Sequence, residues 1–285
     1  MNKFKATKTA GILGIFGNVF LLIIKGFIGF ASGSQAMIAD AFNSASDIFA
    51  SLLTFVGNKI ASEPKDETHN FGHGKAEYIF SLFISISMIV ASSKLLLDSF
   101  TSLISGSKVE FSIWLVVVCC TTIIVKLSLF IYTKKLYEIH NNILLEANYK
   151  DHRNDCFVTS FTLISILFSL INIYWVDSVV GIAISAWICF TGVKIFIESY
   201  NVLMDISIDE KTRNLILDLA NSYKDILKVD ELYSTPIGDK YIIFITIFVD
   251  GNISTFDSHN LADSLEQDVS KLENVDKAIV HVNPM

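Results

Sequence analysis

Asn43 and Asp47 stand four residues apart, and so do Asp151 and Asp155. On a helix that spacing puts both members of a pair on one face. Each pair is embedded in an otherwise apolar stretch. An ionisable group at the centre of a membrane helix costs about 2.5–3.5 kcal/mol on insertion scales, so such groups are functional by default. Counted at 1.5 Å per residue, Asp47 lies roughly 17 Å from the outer end of its span and Asp151 roughly 12 Å from the inner end of its own. The two spans run antiparallel, so both pairs reach mid-membrane and can face each other. The outcome is one site with four oxygen-bearing side chains and no nitrogen or sulfur ligand. Pairing with lysines or with Arg153, or the capping of kinks, is the structural alternative. It does not explain two i,i+4 pairs at one depth. Asp40 shares the Asn43 face nearer the outer mouth, where solvation accounts for it as well as a relay does.

Positioning such a site requires membrane spans. Apolar runs of about 20 residues fall near Thr9–Phe30, Ala36–Val56, Tyr78–Leu97, Ile113–Tyr132, Ile143–Ile171 and Val176–Glu198. The second and fifth carry Asp40, Asn43, Asp47, Asp151, Arg153 and Asp155, so hydropathy alone underrates both. Loop charges orient the chain: Lys3, Lys5 and Lys8, then Lys59, Lys65 and Lys75, then Lys134 and Lys135 fall on one side. The opposite loops carry almost no cation apart from Lys108, so both termini are expected in the cytoplasm of a multi-pass cell-membrane protein. The basic start runs into apolar sequence without a small-residue cleavage site, so it reads as a first span rather than a signal peptide. Lys25 and Lys126 lie inside apolar runs, where snorkelling or internal pairing explains them.

The chain has 285 residues, 52% hydrophobic and 18% charged, with a mean hydropathy of +0.51. Residues 1–204 hold 15 Lys+Arg against 14 Asp+Glu, and residues 205–285 hold 7 against 15. The acidic excess therefore belongs to the tail, which argues against nucleic acid and suits a domain that works among cations. The tail reads α-β-β-α-β. An amphipathic helix over Asp209–Tyr223 comes first, then strands at Val229–Ser234 and Tyr241–Val249 joined by a turn at Pro236–Asp239. A helix over Thr255–Leu272 capped by Ser254 or Thr255 and a strand at Ala278–Val282 complete it. That order predicts a small open sheet with both helices on one face. Cys119, Cys120, Cys156 and Cys189 lie in apolar runs without CxxC spacing and read as core residues rather than a disulfide framework or a zinc site.

Three motifs occur in order: SGSQAMIADAFNSASD (Ser32–Asp47), FGHGKAE (Phe71–Glu77) and DHRND (Asp151–Asp155). With six spans and the αββαβ tail, they resemble the cation diffusion facilitator family over nearly the whole chain. The resemblance implies a homodimeric exporter of divalent metal ions, usually in exchange for protons, and not an enzyme. It implies no prosthetic group, the metal being cargo. Its transport site maps onto Asn43, Asp47, Asp151 and Asp155. Zinc-carrying members supply at least one histidine there, whereas this chain has Asp151 and Asn43. An all-oxygen set suits harder ions such as Mn2+, Mg2+ or Ca2+, and the combination resembles the manganese-exporting branch.

The resemblance marks further residues. Asp66, His69 and His73 fall in the loop that holds a second metal in some members, and mixed His/Asp clusters are metal-competent. Asp230, Thr246, His259, His281 and Asn283 match tail positions that bind metal between protomers. Two of those positions lack the histidine of the zinc pattern, which leaves Asp230, His259 and His281 for a single weak site. Lys75 and Asp205 match a salt bridge at the family's dimer interface. Competing readings are an exporter of Zn2+, Fe2+ or Cd2+, a membrane metal sensor that does not transport, and an intramembrane aspartyl protease. The within-helix pairing and the FGHGKAE loop speak against the last.

Overall fold

A computed structural model describes residues 2–32, 35–105, 113–169, 175–238 and 240–285. Among them the chain forms eight helices and three strands: α1 (Lys3–Ser32), α2 (Gln35–Ala61), α3 (Ala76–Ser105), α4 (Ile113–His140), α5 (Ile143–Ser169), α6 (Trp175–Leu203), α7 (Glu210–Asn221), β1 (Lys228–Ile237), β2 (Lys240–Val249), α8 (Thr255–Ser270) and β3 (Val275–Pro284). The chain divides into two compact units. Met1–Glu63 with Ala76–Tyr200 make one, and Pro64–Lys75 with Asn201–Met285 make the other. Lys108 and Asp239 lie outside the described residues.

The first unit is a bundle of the six long helices. Segments of α1, α3, α4 and α6 are each apolar enough to cross a membrane; α2 and α5 carry the acidic residues that dilute their hydropathy, as their sequences predict. Small residues allow close approach where helices cross. On α1, a Cβ at Gly14 would sit 2.6 Å from the Ser51 hydroxyl of α2, and one at Gly17 would sit 2.8 Å from Leu129 of α4. The starts of α1 and α3 and the end of α2 share one end of the bundle. Asn58 donates to the Phe4 carbonyl at 2.9 Å, and Lys3 pairs with Glu77 at 3.2 Å. Only Asn141 and Asn142 separate α4 from α5. Asn141 turns the chain at φ 45°, and the Asn142 amide oxygen accepts from the Leu144 and Leu145 N–H groups, which caps α5.

Gly57 allows a close α2–α3 approach, since a Cβ there would meet the Phe80 Cβ at 2.6 Å, whereas a Cβ at Gly26 would meet nothing within 4 Å. Gly57→Ala is therefore expected to cost about 1–3 kcal/mol as an overpacked contact. Thermal unfolding in detergent should show a lower midpoint for Gly57→Ala and none of that loss for Gly26→Ala.

The second unit is an αββαβ fold. Its sheet runs β1-β2-β3, with β1 and β2 antiparallel and β2 and β3 parallel. Alternation sorts β2: Ile243, Ile245 and Ile247 are buried with Ile216 of α7 and Leu265 and Val269 of α8, while Phe244 on the other face is exposed. Ser254 caps α8 by accepting from the Asp257 N–H. The β1–β2 turn is tighter than the sequence predicts. Pro236 is in register with Tyr241, and Ile237 with Lys240. β1 is an edge strand, where a residue without an N–H is tolerated. Gly238 makes the turn at φ 61° and leaves room for Gly74, whose Cβ would lie 3.0 Å from the Gly238 Cα. That contact belongs to the segment Pro64–Lys75, which lies between α2 and α3 in sequence yet packs with the tail.

Candidate metal centre

Asp47 is 14 residues from the Ala61 end of α2, and Asp155 is 12 residues from the Ile143 end of α5, so both sit roughly 20 Å along their helices. Lys126 of α4 is 14 residues from His140 and reaches the same level. The lysine Nζ donates to Asp47 Oδ2 at 2.7 Å and to Asp155 Oδ2 at 2.5 Å. One ammonium thus bridges carboxylates from two helices. Asp151 stands one turn before Asp155 on α5, and donor atoms of Asp151, His152 and Asp155 lie within 4.8 Å of one another. The side chains of Asn43 and Asp40 lie outside the described residues; the α2 backbone puts Asn43 one turn from Asp47.

A cavity of about 250 Å³ opens onto these carboxylates. Asp47, Asp151 and Asp155 line it together with Ser87, Met88 and Ser92 of α3. Charged and hydroxyl groups beside open space in an otherwise apolar bundle make a place where an ion can exchange water for carboxylate oxygen.

Two features of this centre were not foreseen as parts of it. Lys126 is 1% exposed and is committed to the carboxylates, so internal pairing rather than snorkelling describes it. His152 is fully buried, and neither ring nitrogen has a hydrogen-bond partner among the described residues. The i,i+4 pairs offer no nitrogen donor, yet an imidazole stands within reach of them. The adjacency of His152 to Asp151 was the available signal. Its neighbour Arg153 does not partner the carboxylates. It donates to Asn154 and Thr191 and lies 5.5 Å over the Trp187 ring.

Asp66, His69 and His73 converge in the second unit. Asp66 lies 3.3 Å from His69 Nδ1 and 3.6 Å from His73 Nε2, and the two rings are 4.4 Å apart. Asp66 Oδ1 accepts from the His69 and Thr68 N–H groups and the Thr68 hydroxyl. Those bonds, the His69 N–H first, lower its pKa to about 2, so the carboxylate stays ionised at any physiological pH. An ionised carboxylate beside two imidazoles is a competent donor set for a borderline divalent ion.

Among the described residues, Asp230, His259 and His281 do not gather into one cluster of donor atoms. Asp230, at the β1 bulge, takes Lys228; His259 pairs with Asp263 one turn on; His281 contacts the Asn283 amide oxygen. Thr246 is in register with His281 across β2 and β3. Lys75 and Asp205 form an ion pair at 2.8 Å, and Asp205 also accepts from the Thr235 hydroxyl. The Lys75 hydrogen bond first, then that of Thr235, hold the Asp205 carboxyl below the usual carboxylate range.

Two family models match the chain: the cation efflux transmembrane domain over residues 11–204 and the cation efflux protein cytoplasmic domain over residues 208–285. Among curated relatives, an uncharacterized transporter of Methanocaldococcus jannaschii is 28% identical over 95% of this chain and 96% of its own. The manganese efflux system protein MneS of Bacillus subtilis is 26% identical over 100% of this chain and 98% of its own. The cation-efflux pump FieF of Shewanella oneidensis is 27% identical over 93% and 90%.

Proposed function

The chain belongs to the cation efflux family, the cation diffusion facilitators, and on that premise we propose that this transporter exports Mn2+ from the cytoplasm. Asn43, Asp47, Asp151 and Asp155 hold the ion at mid-membrane. The observation that carries this reading is the meeting of Asp47 and Asp155 around one cationic group, with Asp151 beside them and a cavity in front. Carboxylates that converge on an ammonium from two helices can converge on a metal. Protons and metal compete for those oxygens, so proton entry from outside releases the ion and completes an exchange. The protein works as a homodimer with both termini in the cytoplasm, where the Lys75–Asp205 pair lies at the subunit interface. Asp66, His69 and His73 form a second, loop site. Asp230, His259 and His281 contribute to a weak tail site.

Mn2+ is favoured by the carboxylate and amide oxygens and by the likeness to the manganese efflux protein of Bacillus subtilis. His152 favours a second reading, export of Zn2+ or Fe2+, because it adds an imidazole within reach of Asp151 and Asp155. Flux into proteoliposomes under a pH gradient separates the two. Manganese export requires Mn2+ to move about tenfold faster than Zn2+ at equal concentration, a margin that donor softness can supply. Faster Zn2+ flux selects the second reading. Binding without flux of either ion makes the protein a sensor.

A further inference from the structure

We infer that Lys126 is a tethered competitor of the transported ion: its ammonium holds the Asp47 and Asp155 carboxylates until a divalent metal displaces it. The inference rests on the proposed transport site. Nζ is bonded to Oδ2 of both residues, at 2.7 and 2.5 Å. A metal ion bound to the same two oxygens, at about 2.0–2.2 Å from each, fills the volume that Nζ occupies. Ammonium and metal therefore exclude each other by size and by charge.

Lys126 is also well placed to leave. Its residue is fully buried on α4, and the cavity beside the carboxylates is lined from α2, α3, α5 and α6. An ion arriving through the cavity meets the carboxylates from a side that α4 does not cover. The lysine stem is flexible and its ammonium is a compact point charge. Thr122, one turn earlier on α4, is buried with a hydroxyl that has no partner among the described residues, and that oxygen can receive the departing Nζ.

Selectivity follows from the tether. An ammonium fixed beside its carboxylates acts at a high effective concentration. A monovalent cation offers the carboxylates no more charge than Lys126 already does, whereas a divalent ion does. Lys126 thereby rejects Na+ and K+ and weakens metal binding enough for release.

Calorimetric titration of the full-length protein in detergent tests this. Lys126→Met should bind Mn2+ about tenfold tighter or more, since a buried positive charge has gone, and its binding should become sensitive to NaCl competition that leaves the wild type unaffected. Its maximal flux should fall, because release has lost the returning ammonium. Lys126→Arg keeps the charge and the ion pairs and grips carboxylates with a fork; it should bind Mn2+ more weakly than wild type. Unchanged or weaker binding in a folded Lys126→Met overturns the inference. If that variant does not fold, equal or tighter binding in Lys126→Arg overturns it instead. Asp155→Asn in the same titration separates the two readings. If it binds Mn2+ as the wild type does, the transport site itself is wrong. If it loses binding while Lys126→Met is no tighter, only the role of Lys126 fails.

Discussion

Asp155→Asn is expected to reduce Mn2+ flux in proteoliposomes to the level of empty vesicles and to destabilise the bundle at the same time. The two losses have different causes. Flux fails because an anionic donor to the ion has gone. Stability falls because Lys126, 1% exposed, loses one of the two carboxylates it is ion-paired with and keeps Asp47. Breaking a buried ion pair by removing one partner costs about 3–5 kcal/mol, and the surviving Asp47 contact places this case toward the lower end. Combining Asp155→Asn with Lys126→Gln removes the stranded charge and leaves two neutral amides able to bond each other. The double variant should recover most of the unfolding temperature and none of the flux. If it recovers flux as well, Asp155 is a structural counter-ion and not a ligand. That is the alternative the sequence raised for these carboxylates.

The same pair of residues shows how far the sequence carries the reading. The i,i+4 spacing of Asp47 with Asn43 and of Asp155 with Asp151 depends only on helix geometry, so the oxygen-bearing residues that share a face of α2 and of α5 can be read from the chain. Lys126 could be noticed but not assigned. Its partners lie 79 and 29 residues away, and only the packing of α4 against its neighbours decides that it turns inward. His152 escaped for a related reason. A motif directs attention to the residues at helical spacing and away from those between them, although on α5 His152 is the more deeply buried. The segment Pro64–Lys75 is legible as the loop between the second and third spans, with the Asp66, His69 and His73 set. Its docking to the tail depends on Gly74 meeting Gly238 and Lys75 meeting Asp205, 130 residues away, contacts that no local pattern encodes. In the tail, the αββαβ order followed from periodicity, and the strand ends did not. Pro236 reads as a turn residue until β1 is known to be an edge.

Asp151→His is expected to shift transport from Mn2+ toward Zn2+, raising the Zn2+-to-Mn2+ flux ratio about tenfold or more, because imidazole nitrogen suits the softer ion and carboxylate oxygen the harder one. The position is apt because Asp151 lines the cavity and its carboxylate lies within 4.8 Å of donor atoms of His152 and Asp155. A histidine there places two imidazoles on consecutive positions of α5 and removes one negative charge. Charge loss alone weakens every divalent ion, so Asp151→Asn is the necessary comparison: it keeps an oxygen donor and should slow both metals without reversing their order. A second comparison, His152→Gln in the wild-type background, asks whether the existing imidazole already contributes. If it does, Zn2+ flux falls while Mn2+ flux is spared. Should Asp151→His slow both ions in the same proportion as Asp151→Asn, donor type at this position does not set the preference. The geometry of Asp47, Asp155 and the ammonium between them would then be the remaining determinant, and Lys126 rather than Asp151 would be the residue to vary.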